Sequence, residues 1–441
     1  MSVDPAGMSG DPAGSSQGRN AAGRPLRIAT VITRLEGGSA VLALRGARAI
    51  HGGAFACTIV TGSRDPLLDA EAAGLEVIVD PALSARIAPR SDLLALRRLA
   101  AMFRERNFDV VHTHCAKAGT VGRLAARRAG TPRIVHTYHG FPFHEFQSAA
   151  RRQAYVSIER RLGRITDVAL CVGAGVAAEA IRRELIAPDR VRTIGVVVDG
   201  PGRTRASMQA GTPEARQRAR AALGLPASAT VVGVVGRLTY QKAPEDFLAA
   251  MRALGRPGVI GVWVGGGELA ERVARQVSEL GVRVVLAGSR ADVLDVLPAF
   301  DVFVLPSRYE GLPTAIVEAM ICGIPVVATA VNAVSDLVIP GETGLLVPPH
   351  RPGLLAAAVR HLLDSPAVAA RLAAAASAGV GDRYRAPELR AALVAAYQPE
   401  CWPALAEAAS PDLAEASPDR AEAYSQALAA AERSPVRVDP W

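Results

Sequence analysis

Two series of short apolar segments, each alternating with longer helical stretches, constrain this 441-residue chain more than any other feature. The first series reads RIATVIT, FACTIVTG, EVIVD, FDVVHTH, RIVHTYHG and DVALCVG; the second starts at Thr230 and reads TVVGVVG, GVIGVWVG, RVVLAG, DVFVLPS, IPVVATA and GLLVP. Segments this short and this rich in β-branched residues are strands, and the helical stretches between most of them predict crossovers in parallel sheets. The chain is longer than a single core supports, and half of its residues are apolar, which supplies two. The expected class is therefore α/β. Residues 1–24, rich in Gly, Pro, Ala and Ser, read as a disordered tail, 25–198 as a first domain, 199–228 as a linker and 229–385 as a second domain. Residues 386–398 (APELRAALVAAYQ within them) read as a closing helix and 399–441 as a low-complexity tail.

Composition excludes several functions. Cys57, Cys115, Cys171, Cys322 and Cys401 are scattered without CxxC spacing, which argues for a reducing compartment and no metal site. No apolar run approaches the ~18 residues of a membrane span, and the N-terminal stretch lacks the apolar core of a signal peptide. The expected location is cytoplasmic, peripheral on the membrane face. A net charge of +8 favours anionic surfaces. The aromatic–basic interleaving of a nucleic-acid module is missing, so the charge points to a membrane surface and not to nucleic acid.

The stretch SRYEGLPTAIVEAM, residues 307–320, carries the most chemistry. An apolar strand precedes it, Pro313 suits a first helical position, and the helix continues from Thr314. Glu310 then projects from the turn, while Glu318, eight residues on, lies lower along the same crevice. The amides of Leu312 and its neighbours leave the helix start as anion donors. Hydroxyls, a diphosphate and a ribose fit that order of groups. About 70 residues upstream, TVVGVVGRLTYQKAPEDFL leaves Arg237 and Lys242 on one loop at the carboxyl end of a strand. Ligands of open α/β sheets sit there, and two such cations neutralise a diphosphate without a metal.

GRLTYQKAPEDF and SRYEGLPTAIVEAM resemble the donor-site motifs of the retaining glycosyltransferases of family 4, and the likeness runs from about Leu26 to Tyr397. The resemblance implies the GT-B fold, two Rossmann-like domains facing each other across a cleft, the first binding the acceptor and the second the nucleotide-sugar donor. It implies that Arg237 and Lys242 hold the diphosphate, Glu310 the transferred sugar and Glu318 the ribose. Gly311, Leu312 and Thr314 belong to the same donor site, and Arg290, in LAGSRADVLDVLPAFDVFVLPS, would lie near the base. The implied reaction is metal-independent transfer of a hexosyl or N-acetylhexosaminyl group from a UDP-sugar to a glycan or polyprenyl-linked acceptor, in bacterial-type polysaccharide or glycolipid synthesis. No cofactor beyond the nucleotide sugar is implied. The chain departs from the pattern at Ala243, where the family has glycine after the lysine, and at Asn332, Ala333, Val334, Ser335 and Asp336, where it reads Gly-Gly-Val-Pro-Glu. These departures bear on loop shape and sugar preference, and they are the sequence's hint towards an inactive, membrane-associated assembly protein. A sugar-nucleotide epimerase or phosphorylase on a related fold is the other alternative.

In the first domain, Gly37 and Gly38 precede a helix and permit close approach of backbone to a phosphate or sugar. A dinucleotide fold is disfavoured, because no G-x-G-x-x-G is present and FACTIVTG ends without a ribose-binding acid. By resemblance, Gly37 and Gly38 face the donor across the cleft. His112, His114, His136, His139 and His144 cluster without the spacing of a zinc site. The His139-Gly140 pair resembles the family's active-site histidine, which contacts the transferring sugar. His114, ending its strand, and Lys117, at the next helix start, are candidates for the acceptor side, Lys117 for a phosphate. Phe141, Phe143 and Phe146 lie in a connector, followed by a helical stripe of Tyr155, Ile158, Leu162 and Ile165 with arginines 152, 160, 161 and 164 on its other faces. That stripe reads either as a core face or as an amphipathic basic helix on an anionic leaflet.

Overall fold

The structure, a computed structural model, describes residues 24–198, 212–380 and 383–398. The first series folds as β1 (Leu26–Ile32), β2 (Phe55–Thr61), β3 (Glu76–Val79), β4 (Val110–His114), β5 (Arg133–Tyr138), β6 (Val168–Cys171) and β7 (Val191–Thr193). These strands pair in parallel in the order β3-β2-β1-β4-β5-β6-β7. The helices of this half are α1 (Gly37–Ile50), α2 (Asp69–Ala72), α3 (Pro89–Glu105), α4 (Ala116–Ala129), α5 (Ala149–Gly163) and α6 (Ala174–Arg182).

The second series gives β8 (Thr230–Val235), β9 (Val259–Val264), β10 (Val284–Gly288), β11 (Val302–Leu305), β12 (Val326–Thr329) and β13 (Leu345–Val347), parallel in the order β10-β9-β8-β11-β12-β13. Its helices are α7 (Pro213–Ala222), α8 (Pro244–Leu254), α9 (Ala270–Leu280), α10 (Val293–Val296), α11 (Thr314–Ile321), α12 (Pro352–Asp364) and α13 (Pro366–Val380), and α14 (Ala386–Tyr397) follows. Strands buried on both faces explain the near-continuous Val and Ile of the two series. One core packs Val31, Val60, Leu99, Phe103 and Val111 between sheet and helices, and the other packs Val232, Phe247, Trp263, Val304 and Leu355. In each half the first strand lies beside the fourth, so the order reverses between β1 and β4 and again between β8 and β11. Crevices for ligands open at such points, at the carboxyl ends of the strands.

Three readings change. β7 is a strand that the apolar segments did not announce, since only three residues of it pair. The linker expected over 199–228 contains α7, a helix capped by Thr212 and fastened to the second half by Arg220, whose Nη2 lies 2.9 Å from Asp301; residues 199–211 lie outside the described residues. Arg24, assigned to the tail, pairs with Asp109 at 2.8 Å, whereas the rest of that tail and the one over 399–441 lie outside the described residues. α14 crosses back to the first half, as the resemblance implies. Leu389 and Leu393 pack on Gly46 of α1, and the Tyr397 hydroxyl lies 2.7 Å from His112 Nδ1.

The stripe on α5 is also corrected. The face turned to the core consists of Val156, Glu159 and Leu162, while Ile158 is exposed. The substitution of face has a physical cause: Glu159 turns inward because Arg123, fully buried on α4, needs its carboxylate at 2.7 Å. Arg151, Arg160, Arg161 and Arg164 remain on the outside. Among the described residues no helix is long and apolar enough to cross a membrane.

Candidate active site

The two sequence motifs meet because their loops leave adjacent strands. The loop after β8 carries Arg237, Gln241 and Lys242, and the loop after β11 carries Ser307 to Gly311. Backbone and side chains fasten them together. The Arg308 amide donates to the Gln241 carbonyl at 2.8 Å, the Gln241 amide group donates to the Tyr309 carbonyl at 3.0 Å, and the Arg308 guanidinium lies 4.2 Å over the Tyr240 ring while pairing with Glu245. Within this frame Glu310 is buried, with 7% of its surface exposed. Its Oε1 accepts from Lys242 Nζ and from the Ser307 hydroxyl, each at 2.5 Å. A buried carboxylate so held has its charge paired and its rotamer fixed.

The first half closes over this group. Gly311 lies against the His139 carbonyl so closely that a Cβ there would stand 1.8 Å from the oxygen. Gly38 approaches Thr314 of α11, whose Oγ1 would be 3.4 Å from an added Cβ, and Arg237 reaches across to Glu36 at 3.5 Å. Gly37, Gly38, His139, Arg237, Lys242, Glu310, Gly311, Leu312 and Thr314 therefore line one cleft, built at the reversal points of both sheets. Glu318 lies on α11, partly buried. Burial pushes its carboxyl up to about 7, against the opposing pull of Arg45 on α1. At the rim, His144 stacks on Tyr309 at 4.3 Å and Phe146 meets His350 at 5.0 Å, so the aromatic connector covers a seam between the halves.

Behind His139 lies a relay of imidazoles. His139 Nε2 is 2.9 Å from His114 Nδ1, and His112 holds Thr137 at 2.7 Å through its other nitrogen. Burial lowers His139 to about 4 and His112 to about 3, the latter helped by His139, so both are neutral at neutral pH. A neutral His139 hydrogen-bonds a hydroxyl without adding charge. Among the described residues no three His, Cys, Asp or Glu side chains converge as metal ligands.

Two further candidates are held by acidic neighbours. Arg290 follows the edge strand β10, which two strands separate from β11, and its guanidinium is held by Asp292 at 2.6 Å. Lys117 is engaged by Asp92 of α3 instead of standing free for a phosphate. Reasoning from the sequence also missed partners. Ser307, fully buried three residues before Glu310, and Gln241 had no separate signal, and Asn332, whose Oδ1 accepts the Glu310 amide at 3.0 Å, is 22 residues away. The departures at Ala243 and Asn332 keep the backbone shape that glycine favours, since both residues adopt positive φ, 50° and 45°. The hint towards an inactive protein thus has a local explanation, in which the loops are preserved.

Residues 36–199 match the family described as Glycosyltransferase Family 4, and residues 229–365 the one described as Glycosyl transferases group 1. The UDP-Gal:alpha-D-GlcNAc-diphosphoundecaprenol alpha-1,3-galactosyltransferase of Escherichia coli is 30% identical over 300 residues, which span 66% of this chain and 76% of that one. The D-inositol 3-phosphate glycosyltransferase of Kineococcus radiotolerans is 35% identical over 286 residues, 60% of this chain and 65% of the relative. Among solved structures, Anabaena HepE in complex with UDP-glucose superposes with a TM-score of 0.71 at 22% identity, covering 84% of this chain and 98% of the other. WaaG, a glycosyltransferase involved in lipopolysaccharide biosynthesis, gives 0.68 at 18% identity, over 83% and 98%. Those two likenesses establish the fold, two Rossmann-like domains across a cleft.

Proposed function

Since the chain belongs to the family 4 glycosyltransferases of GT-B fold, we propose that it transfers a sugar, with retention, from a UDP-sugar to a glycan or polyprenyl-linked acceptor hydroxyl. The observation that carries this reading is the convergence of Arg237, Lys242 and Glu310 from one half with His139 and the Gly37–Gly38 loop from the other. Lys242 pairs with Glu310. A diphosphate placed beside the exposed Arg237 and the half-buried Lys242 gives the two cations a second anion, leaving the Glu310 carboxylate to accept from sugar hydroxyls. The bond from the anomeric carbon to the β-phosphate oxygen breaks as the acceptor oxygen bonds from the same face, and the leaving diphosphate takes the acceptor's proton. Catalysis is then positioning and preorganised charge, with the cations in the role a metal plays elsewhere. The relatives' names, which give a UDP-galactose donor with a diphosphoundecaprenol acceptor and an inositol phosphate, support nucleotide-sugar chemistry. The exposed arginines of α5 suit an acceptor presented at an anionic leaflet.

The test is mass spectrometry with a panel of nucleotide sugars, in EDTA, offering acceptors in solution or in anionic vesicles. UDP release that requires an acceptor and persists in EDTA is the expected result. Isomerisation without UDP release would assign an epimerase, and activity lost in EDTA and restored by magnesium would overturn the metal-independent mechanism.

Glu318 supplies a pH signature. With its carboxyl near 7 in the free protein, ribose hydroxyls donating to the ionised form bind best when the proton has left. Affinity for a UDP-sugar, whose diphosphate diester does not titrate here, should rise from pH 5.5 to 8, by up to about tenfold for each unit by which binding lowers the pKa, and level off above it. Calorimetry on Glu318→Gln should show that slope gone. An identical slope in wild type and variant would remove Glu318 from the ribose site.

A further inference from the structure

Helix α6 begins without a cap of its own: its N-cap is Gly173, which has no side chain to accept the helix's first amides. The acceptor comes from the other half of the molecule. Asp336 Oδ2 accepts from the Gly175 amide at 2.9 Å, and the Ala174 amide also bonds to this carboxylate. An anion at the positive end of a helix is favourably placed. The fit allows no extra atoms. A Cβ on Gly173 would stand 2.6 Å from Asp336 Oδ2 and 3.2 Å from Leu312 Cδ1, and a Cβ on Gly175 would stand 3.1 Å from the Ala333 Cα.

Asp336 ends the five-residue 3-10 turn Asn332–Asp336, whose middle residues Ala333 and Val334 are buried. The other end of the same turn is Asn332, which holds the Glu310 amide through its side-chain oxygen at 3.0 Å. Asn332 does so from the left-handed region, φ 45°, which asparagine tolerates better than other residues with a side chain. One short, tightly wound element thus touches the first half at one end and the turn carrying the buried Glu310 carboxylate at the other. A 3-10 turn rises about 2 Å per residue and bends little over so few residues, so a shift at one end is carried to the other.

We propose that the turn Asn332–Asp336 is a strut that makes the placement of Glu310 depend on closure of the cleft, with Asp336 and Asn332 as positioning residues for sugar transfer. The catalytic consequence rests on the function proposed above; the mechanical one does not. When the halves part, Asp336 leaves the start of α6, the strut loses its anchor, and the Glu310 turn loosens. When they close on a bound donor, the carboxylate is brought to its working position. Glu310 is therefore in its working position only when the cleft is shut and water is excluded, which limits futile hydrolysis of the donor.

The experiment compares wild type with Asp336→Ala and Asp336→Asn by hydrogen exchange and by kinetics. Removing the carboxylate should raise exchange of the amides at residues 173–177 and also at 308–310, which the far end of the turn reaches through Asn332. It should lower kcat about tenfold or more, the scale of a charged hydrogen bond, with KM for the UDP-sugar changed by less than about twofold, because Arg237 and Lys242 are untouched. Asp336→Asn keeps an oxygen for Gly175 and should recover most of both signals. Faster exchange at 173–177 alone, with 308–310 as protected as in wild type, overturns the strut whatever the activity. A wild type that turns over no nucleotide sugar, yet shows the coupled exchange, would overturn the function and keep the strut. A general rise in exchange across both sheets would make Asp336 a merely structural residue and also overturn the proposal.

Discussion

Glu310→Ala is expected to lower kcat for sugar transfer by about a hundred- to a thousandfold, the scale found when a preorganised polar group at a reaction centre is removed. The buried carboxylate is the meeting point of Lys242 and Ser307, and no neighbouring acid can take its place, because Glu318 lies on the α11 face below and Glu245 is committed to Arg308. Affinity for UDP should hold or tighten, since the variant releases the Lys242 ammonium to a phosphate. Glu310→Gln keeps hydrogen bonding and loses the charge, so it should fall between the two. Rapid-quench measurement of transfer, with calorimetry of UDP binding on the same samples, gives both numbers. A folded Glu310→Ala protein that transfers sugar within a few-fold of wild type would remove Glu310 from the reaction and the proposed function with it.

The largest effect on stability is expected away from the cleft. Arg123 is wholly buried in α4, bonded to Glu159 at 2.7 Å, to the Gly119 carbonyl at 2.8 Å and to Thr166 at 3.4 Å, and the Tyr138 hydroxyl donates to the same Glu159 oxygen at 3.1 Å. Glu159→Ala strands a guanidinium in the core and should cost about 3–5 kcal/mol. The double change Arg123→Met/Glu159→Leu removes both charges and fills much the same space, so it should recover most of that loss. Urea unfolding followed by circular dichroism distinguishes the two. If the single variant lost less than about 1 kcal/mol, the site would be open to water and the pair an ordinary surface contact. Because Tyr138 is the residue before His139, the single variant should also show reduced transfer.

Much of the fold was legible in the chain. All the apolar segments of the two series became strands, because strands buried on both faces of a parallel sheet need uninterrupted Val and Ile, a pattern that survives without tertiary context. The exceptions follow the same logic. β7 is too short to show a run, and α7, whose sequence PEARQRARAA carries few apolar residues, is held by ion pairs to Asp301, a partner 81 residues from Arg220. On α5, periodicity pointed to Tyr155, Ile158, Leu162 and Ile165, but the buried acid Glu159 rotated the helix to satisfy Arg123.

The candidate site divides in the same way. The Glu310–Glu318 spacing, the Arg237 and Lys242 loop and the His139-Gly140 pair were readable because each is local, a strand end followed by a turn and a helix start, and local geometry depends on neighbouring residues alone. That Lys117 pairs with Asp92 of α3 was not readable, because the partner that claims a charge is a matter of three-dimensional proximity. The sequence by itself determined two parallel sheets and which loops leave their strand ends beside each other, since both follow from period and turn residues. Only the tertiary structure decided that Asn332 holds the Glu310 amide, that Asp336 caps α6 from the other half, and that Gly311 lies against His139. Those contacts join residues far apart in the chain, and hydrogen bonds and close packing act over a few ångströms of space, whatever the number of residues between.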